Sequence, residues 1–217
     1  MRTTLSTGTP AILARPDGDA VRGVVVLPDV GGLRDLYDDM CEQLAHEHNW
    51  AVCAPEPFPG KEDTPAGPDR LALIPTNDDD RFLADITAAA ELLGTGRTAV
   101  IGFCQGGMWA YKAATLPAID RAVAFYGMVR NADWARPGHA DAIDFLRQPG
   151  RKPVLSINGG IDPWTPAADL DDLRALPDVD VVVYPDADHA FAHAADRPSY
   201  RAGDAADAWL RCVRFLP

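Results

Sequence analysis

Three residues of the 217-residue chain stand where strand-like runs stop, and together they have the chemistry of a nucleophilic triad: Cys104, Asp162 and His189. Cys104 lies in "GFCQGG" (Gly102 to Gly107), a Gly-x-nucleophile-x-Gly pattern between an apolar run and a helical one. The flanking glycines allow a sharp turn that lifts the thiol off the strand. The helix that follows points its N-terminus at the sulfur, and its dipole favours a thiolate. The amide of Gln105 is placed to donate to an oxyanion. His189, in "DADHAFAH", can take the thiol proton and return it to a leaving group. Asp162, in "NGGIDPWTP", can accept from the far imidazole nitrogen and fix its tautomer.

Taken singly, each residue has an ordinary use. A lone cysteine is usually a small buried hydrophobe. A lone histidine is usually a loop residue, and an aspartate before proline usually starts a turn. The order Cys, Asp, His at successive strand ends gives the three their weight. Asp186 and Asp188 are rival orienters but adjoin His189 in sequence, whereas Asp162 comes from the neighbouring strand. Among the other histidines, His46 and His48 share no helix face, His139 falls in an unassigned stretch, and His193 borders the final helix.

The elements that must hold these residues alternate. Strands are expected at Ala20–Pro28, Trp50–Pro55, Thr98–Phe103, Arg121–Gly127, Lys152–Gly159 and Val179–Pro185, mostly as continuous apolar runs. Helices are expected at Leu36–His48, Asp79–Gly94, Gly106–Thr115, Pro166–Leu176 and Ala202–Leu216. The stretch from Glu56 to Asp80 reads as a long irregular segment, and Met128 to Gly150 receives no assignment. This β-α-β-α order predicts one domain over 1–217, with a mostly parallel central sheet and helices on both faces. Ligands then bind beyond the carboxyl ends of the strands.

Composition narrows the function classes. The formal net charge of −12 argues against nucleic acid and anionic lipid as partners. No run approaches a membrane span, and "MRTTLSTGTPAILARPDGDA" lacks the apolar stretch of a signal peptide. Four scattered cysteines form no CxxC pair, so no metal is expected, and reduced thiols in a cytoplasm are the simplest reading.

With "GFCQGG" stand "RAVAFYG", "GGIDPWTP", "ADHAFAH" and "YRAGDAADAWLRCVRFL". Over nearly the whole chain this resembles the dienelactone hydrolases (carboxymethylenebutenolidases), which have the α/β-hydrolase fold. The resemblance implies hydrolysis of a small lactone or ester through a thioester. It makes Cys104 the nucleophile, His189 the base and Asp162 its orienter, with no cofactor. It implies that Asp29, at the end of the first core strand, activates the thiol, and that the amide of Val30 is a second oxyanion donor. Of the two arginines that hold a substrate carboxylate in the family, one position is His193 here; the other falls to Arg70 or Arg81. Tyr126, Trp164 and Phe191 are candidates for the substrate pocket. A monomer is expected.

Competing readings are a general carboxylesterase or thioesterase, a non-catalytic ligand-binding protein of the same fold, and a thiol-redox protein using Cys104. Loss of aryl acetate turnover in Cys104→Ala separates an enzyme from a binder. Reaction with peroxide marks a redox protein.

Overall fold

Runs of Val, Ile and Ala build the centre of the sheet. The computed structural model describes residues 1–65, 67–131 and 136–216. Among these residues the strands are β1 (Arg2–Thr4), β2 (Pro10–Ala14), β3 (Arg22–Leu27), β4 (Trp50–Pro55), β5 (Thr98–Phe103), β6 (Arg121–Phe125), β7 (Val154–Gly159) and β8 (Val179–Tyr184). They form one sheet in the order β1-β2-β4-β3-β5-β6-β7-β8. All pairings from β4 to β8 are parallel. Every residue of β3, β4, β5 and β7 is buried, which is why those strands are mostly apolar, with Ser156 and Asn158 of β7 bonded to each other inside.

The helices are α1 (Asp35–His48), α2 (Pro68–Leu71), α3 (Asp79–Leu93), α4 (Gln105–Ala113), α5 (Ala142–Leu146), α6 (Ala167–Arg174) and α7 (Ala202–Phe215). Side chains alternate across the sheet. Val24, Val26, Ile101 and Phe103 pack with α1 and α7, whereas Val25, Leu27 and Val100 pack with α3, α4 and α6. The expected parallel sheet with helices on both faces is therefore present.

Three expectations change. β1 and β2 add an antiparallel hairpin beside β4. Three residues, then five led by a proline, are too short to declare a period in sequence. The segment from Glu56 to Asp80 holds α2 and a 3₁₀ turn at Ile74–Thr76. The unassigned stretch 128–150 contains α5, and its residues 132–135 lie outside the described residues.

After β3 the chain turns back to β4 on one side, then crosses to β5 on the other. That switch point opens a crevice at the carboxyl ends of β3 and β5. Asp29, Val30 and Cys104 follow those two ends.

Candidate active site

Cys104 joins β5 to α4 with φ 57° and ψ −120°. This left-handed conformation is strained for a residue with a side chain. It persists because the surroundings determine it. The Cys104 amide donates to the Phe125 carbonyl at 3.1 Å, and the Cys104 carbonyl accepts from Met108 at 3.1 Å. The flanking glycines permit the close approach. A Cβ at Gly102 would lie 2.0 Å from the Gly106 carbonyl, and one at Gly106 would lie 2.1 Å from the Leu27 carbonyl. The thiol is half-buried, while Cys41, Cys53 and Cys212 are buried. Burial pushes the Cys53 thiol up to about 12 and raises the other two further.

Asp162 and His189 come from adjacent loops, after β7 and β8. Two backbone bonds staple those loops together, Gly160 N to Tyr184 O at 2.7 Å and Ile161 N to Ala187 O at 3.1 Å. His189 Nδ1 then donates to Asp162 Oδ2 at 2.8 Å. Asp162 Oδ1 accepts from the Trp164 amide at 2.8 Å, so the carboxylate is held at both oxygens. With Nδ1 committed, Nε2 serves Cys104. Burial disfavours a charged imidazole at His189. The Cys104 charge and hydrogen bonds to Asp162 and Cys104 outweigh it and raise the His189 pKa to about 10. The structure thus brings Cys104, His189 and Asp162 together.

Two backbone amides remain for an oxyanion. The Gln105 amide opens α4 and has no intrahelical partner. On the facing loop the Val30 amide has no partner among the described residues. Its neighbours are fixed: Gly31 N donates to Asp29 Oδ1 at 2.8 Å, and the Val30 carbonyl accepts from Arg70 Nε at 2.8 Å.

Asp29 differs from its expected role. Its Oδ1 accepts from Gly31 N and from Arg34 Nη1 at 2.7 Å; its Oδ2 accepts from Arg34 Nη2 at 2.9 Å and His193 Nε2 at 2.8 Å. Both oxygens are taken, and no contact reaches Cys104. Burial opposes its charge, but hydrogen bonds from His193 and Arg34 hold its carboxyl well below the usual carboxylate range. An aspartate, one methylene shorter than glutamate, is here a loop-builder rather than a thiol contact.

His193 is likewise corrected. Its side chain has no exposed surface, and its Nδ1 meets the Tyr126 hydroxyl, so no nitrogen is left for a substrate. Burial lowers its pKa despite Asp29, and the ring is neutral. Tyr126 and Phe191 are fully buried, with Phe191 packed against Tyr126 and Tyr184, so both belong to the core beneath the site. Arg81 is occupied by Asp85 at 2.8 Å and the Pro57 carbonyl at 2.9 Å. Arg70 is buried in a pair with Glu56 at 2.6 Å and binds carbonyls of the segment after β4. Trp164 keeps exposed surface beside Asp162. Sequence reasoning missed Glu56, which also accepts from Leu33 N at 2.9 Å and so secures the Val30 loop. An acid directly after a buried strand was the available signal. Among the described residues no His, Cys, Asp and Glu side chains gather into a metal-binding group, and no helix is long and apolar enough to cross a membrane.

Residues 9–217 match the dienelactone hydrolase family. A curated relative from Methylorubrum extorquens, named "Putative carboxymethylenebutenolidase", is 34% identical over 222 residues, 93% of this chain and 74% of that protein. A crystal structure titled "Putative Dienelactone Hydrolase", from Klebsiella pneumoniae, superposes with a TM-score of 0.87 at 26% identity, covering 99% of this chain and 96% of that one. A dienelactone hydrolase-like promiscuous phosphotriesterase from metagenomic libraries shares the fold, with a TM-score of 0.73 at 21% identity over 99% of this chain and 95% of its own. Strand order, elbow and these likenesses agree, and the chain belongs to the dienelactone hydrolase family, as a carboxylic-ester or lactone hydrolase of the α/β-hydrolase fold.

Proposed function

We propose that the chain hydrolyses small esters or lactones through a Cys104–His189–Asp162 triad and a thioester acyl-enzyme. The Cys104 thiolate attacks the carbonyl carbon, and the carbonyl electron pair moves onto oxygen, where the Gln105 and Val30 amides receive it. Collapse of this intermediate breaks the carbon–oxygen ester bond. The leaving oxygen takes the proton from His189 Nε2. In a lactone that oxygen stays on the acyl chain. Water then gives a proton to His189 and attacks the thioester. Collapse releases the acid and restores thiolate and imidazolium.

The observation that carries this reading is the His189–Asp162 bond at 2.8 Å beside a half-buried cysteine on a strained elbow. It also disfavours the redox reading, because the other three cysteines are buried. Four free cysteines support a reducing, cytoplasmic setting. A monomer suffices, since every group comes from one chain. For substrates bearing a carboxylate, Arg197 is the better candidate than Arg81 or His193. It is exposed, has no ion-pair partner among the described residues, and lines a cavity of about 510 Å³ with Val30 and Arg34. The test is aryl acetate hydrolysis. Wild type turns over with an acylation burst, and Cys104→Ala loses both; turnover retained in Cys104→Ala refutes the triad.

A further inference from the structure

Tyr126 follows β6 with φ of 40°, a strained value for an aromatic residue. Its fully buried ring stands edge-on to His189, with centroids 5.2 Å apart and planes at 64°. Its hydroxyl meets His193 Nδ1. The proton positions follow from the partners. Asp29 is ionised and can only accept, so His193 Nε2 carries the proton donated to it over 2.8 Å. A neutral imidazole then has a bare Nδ1, which accepts from the Tyr126 hydroxyl. The line continues through Asp29 to Arg34, at 2.7 and 2.9 Å. His193 is further held by stacking on Phe103, with centroids 4.9 Å apart. Phe103 immediately precedes the nucleophile.

His189 needs such support. It lies in a turn, with Ala190 at φ 62°, and its imidazole keeps 17% of its surface open. Asp162 holds the ring at one nitrogen only. Bonds to Asp162 and Cys104 fix the ring along one line and leave it free to tilt about that line, whereas a rigid aromatic ring packed against it removes that freedom.

We infer that Tyr126 is a positioning residue for the base: its hydroxyl, clamped by the His193–Asp29 pair, fixes the ring that braces His189 between Cys104 and Asp162. The inference rests on His189 being the base of the proposed reaction. It gives the buried Asp29 and His193 a task in catalysis without contact to substrate.

The test compares wild type, Tyr126→Phe, His193→Gln and His189→Gln in p-nitrophenyl acetate hydrolysis, with NMR titration of the His189 ring protons. Tyr126→Phe keeps the ring and removes only the hydroxyl. Its kcat is expected to fall about tenfold with KM held within about twofold. Its His189 titration midpoint moves down, because a swinging ring spends less time on the two partners that hold its proton. The amide of His193→Gln can accept from Tyr126 and donate to Asp29, so this variant keeps more of the rate than Tyr126→Phe. Wild-type kcat in Tyr126→Phe, or a loss of rate with the His189 titration unmoved, overturns the inference. Should Tyr126→Phe fail to fold, His193→Leu removes the same bond from its other end and is judged by the same two readouts. His189→Gln separates the two claims. If it stays active, the base assignment itself fails; if it is inactive while Tyr126→Phe matches wild type, only the brace falls.

Discussion

The site holds two aspartate–histidine pairs built from the same chemistry, with histidines four positions apart on one loop: Asp162–His189 and Asp29–His193. Both bonds measure 2.8 Å. Their protonation states are nonetheless opposite. At His189, burial is outweighed by Cys104 and Asp162, and the imidazole holds its proton up to about pH 10. At His193, burial wins, because Arg34 already neutralises Asp29 and the ring has no exposed surface. A pair of residue types therefore does not define a catalytic dyad. The third partner does: a thiol for one, a guanidinium and a tyrosine for the other.

The contrast is broken most sharply by removing one carboxylate at a time. Asp162→Asn should lower kcat by about 10³ to 10⁴, because the amide favours the wrong imidazole tautomer, with a loss of Tm that comes only from the weaker hold on protonated His189. Steady-state kinetics with thermal melts checks both halves. Asp29→Asn should do the reverse. It leaves a buried histidine and a guanidinium short of their acceptor and costs about 2–3 kcal/mol, the low side for a buried pair because Arg34 is 35% open to solvent. Chemical denaturation measures that loss, and the fall in kcat should be much smaller than for Asp162→Asn.

pH sharpens the same contrast. Protonated His189 favours the folded state, because its pKa is raised on folding. That contribution is complete below the ordinary histidine value of 6.5 and is lost as pH rises through about 10. Tm should fall over that interval in wild type and less in His189→Gln, and wild-type kcat/KM should fall as pH rises through about 10. His193 has the opposite sign. Its folded pKa is lowered, so the unfolded chain binds the proton first and stability falls as pH drops below 6.5. His193→Gln should make that acid slope shallower. The smallest effect is expected at the rim. Arg197→Met should raise KM about tenfold for an ester carrying a carboxylate and leave a neutral aryl acetate unaffected.

Much of this was legible in the chain, for identifiable reasons. Strands buried on both faces, such as "GVVVL" and "TAVIGF", announce themselves as apolar runs. Two glycines around Cys104 mark a turn that tolerates no side chain. What escaped reading was side-chain direction and pairing. Asp29 and His193 are 164 positions apart, and residue type at a strand end does not say which way a carboxylate turns. Arg70 looked free because its partner Glu56 is a neighbour only in space, whereas Asp85, one turn on in the same helix, was a readable partner for Arg81 that went unread. Tyr126 was named for the substrate pocket; its backbone strain and its bond to His193 belong to the fold and leave no periodicity to read.

The central claim, that Cys104 carries the acyl group, is tested most directly by mass spectrometry of protein quenched during turnover of an aryl acetate, with His189→Gln included to slow release of the acyl group. The account predicts an acetyl group on the peptide containing Cys104, absent from Cys104→Ala. Turnover that proceeds with Cys104 unmodified, or an acetyl group on another residue that forms and decays at the rate of turnover, would contradict it.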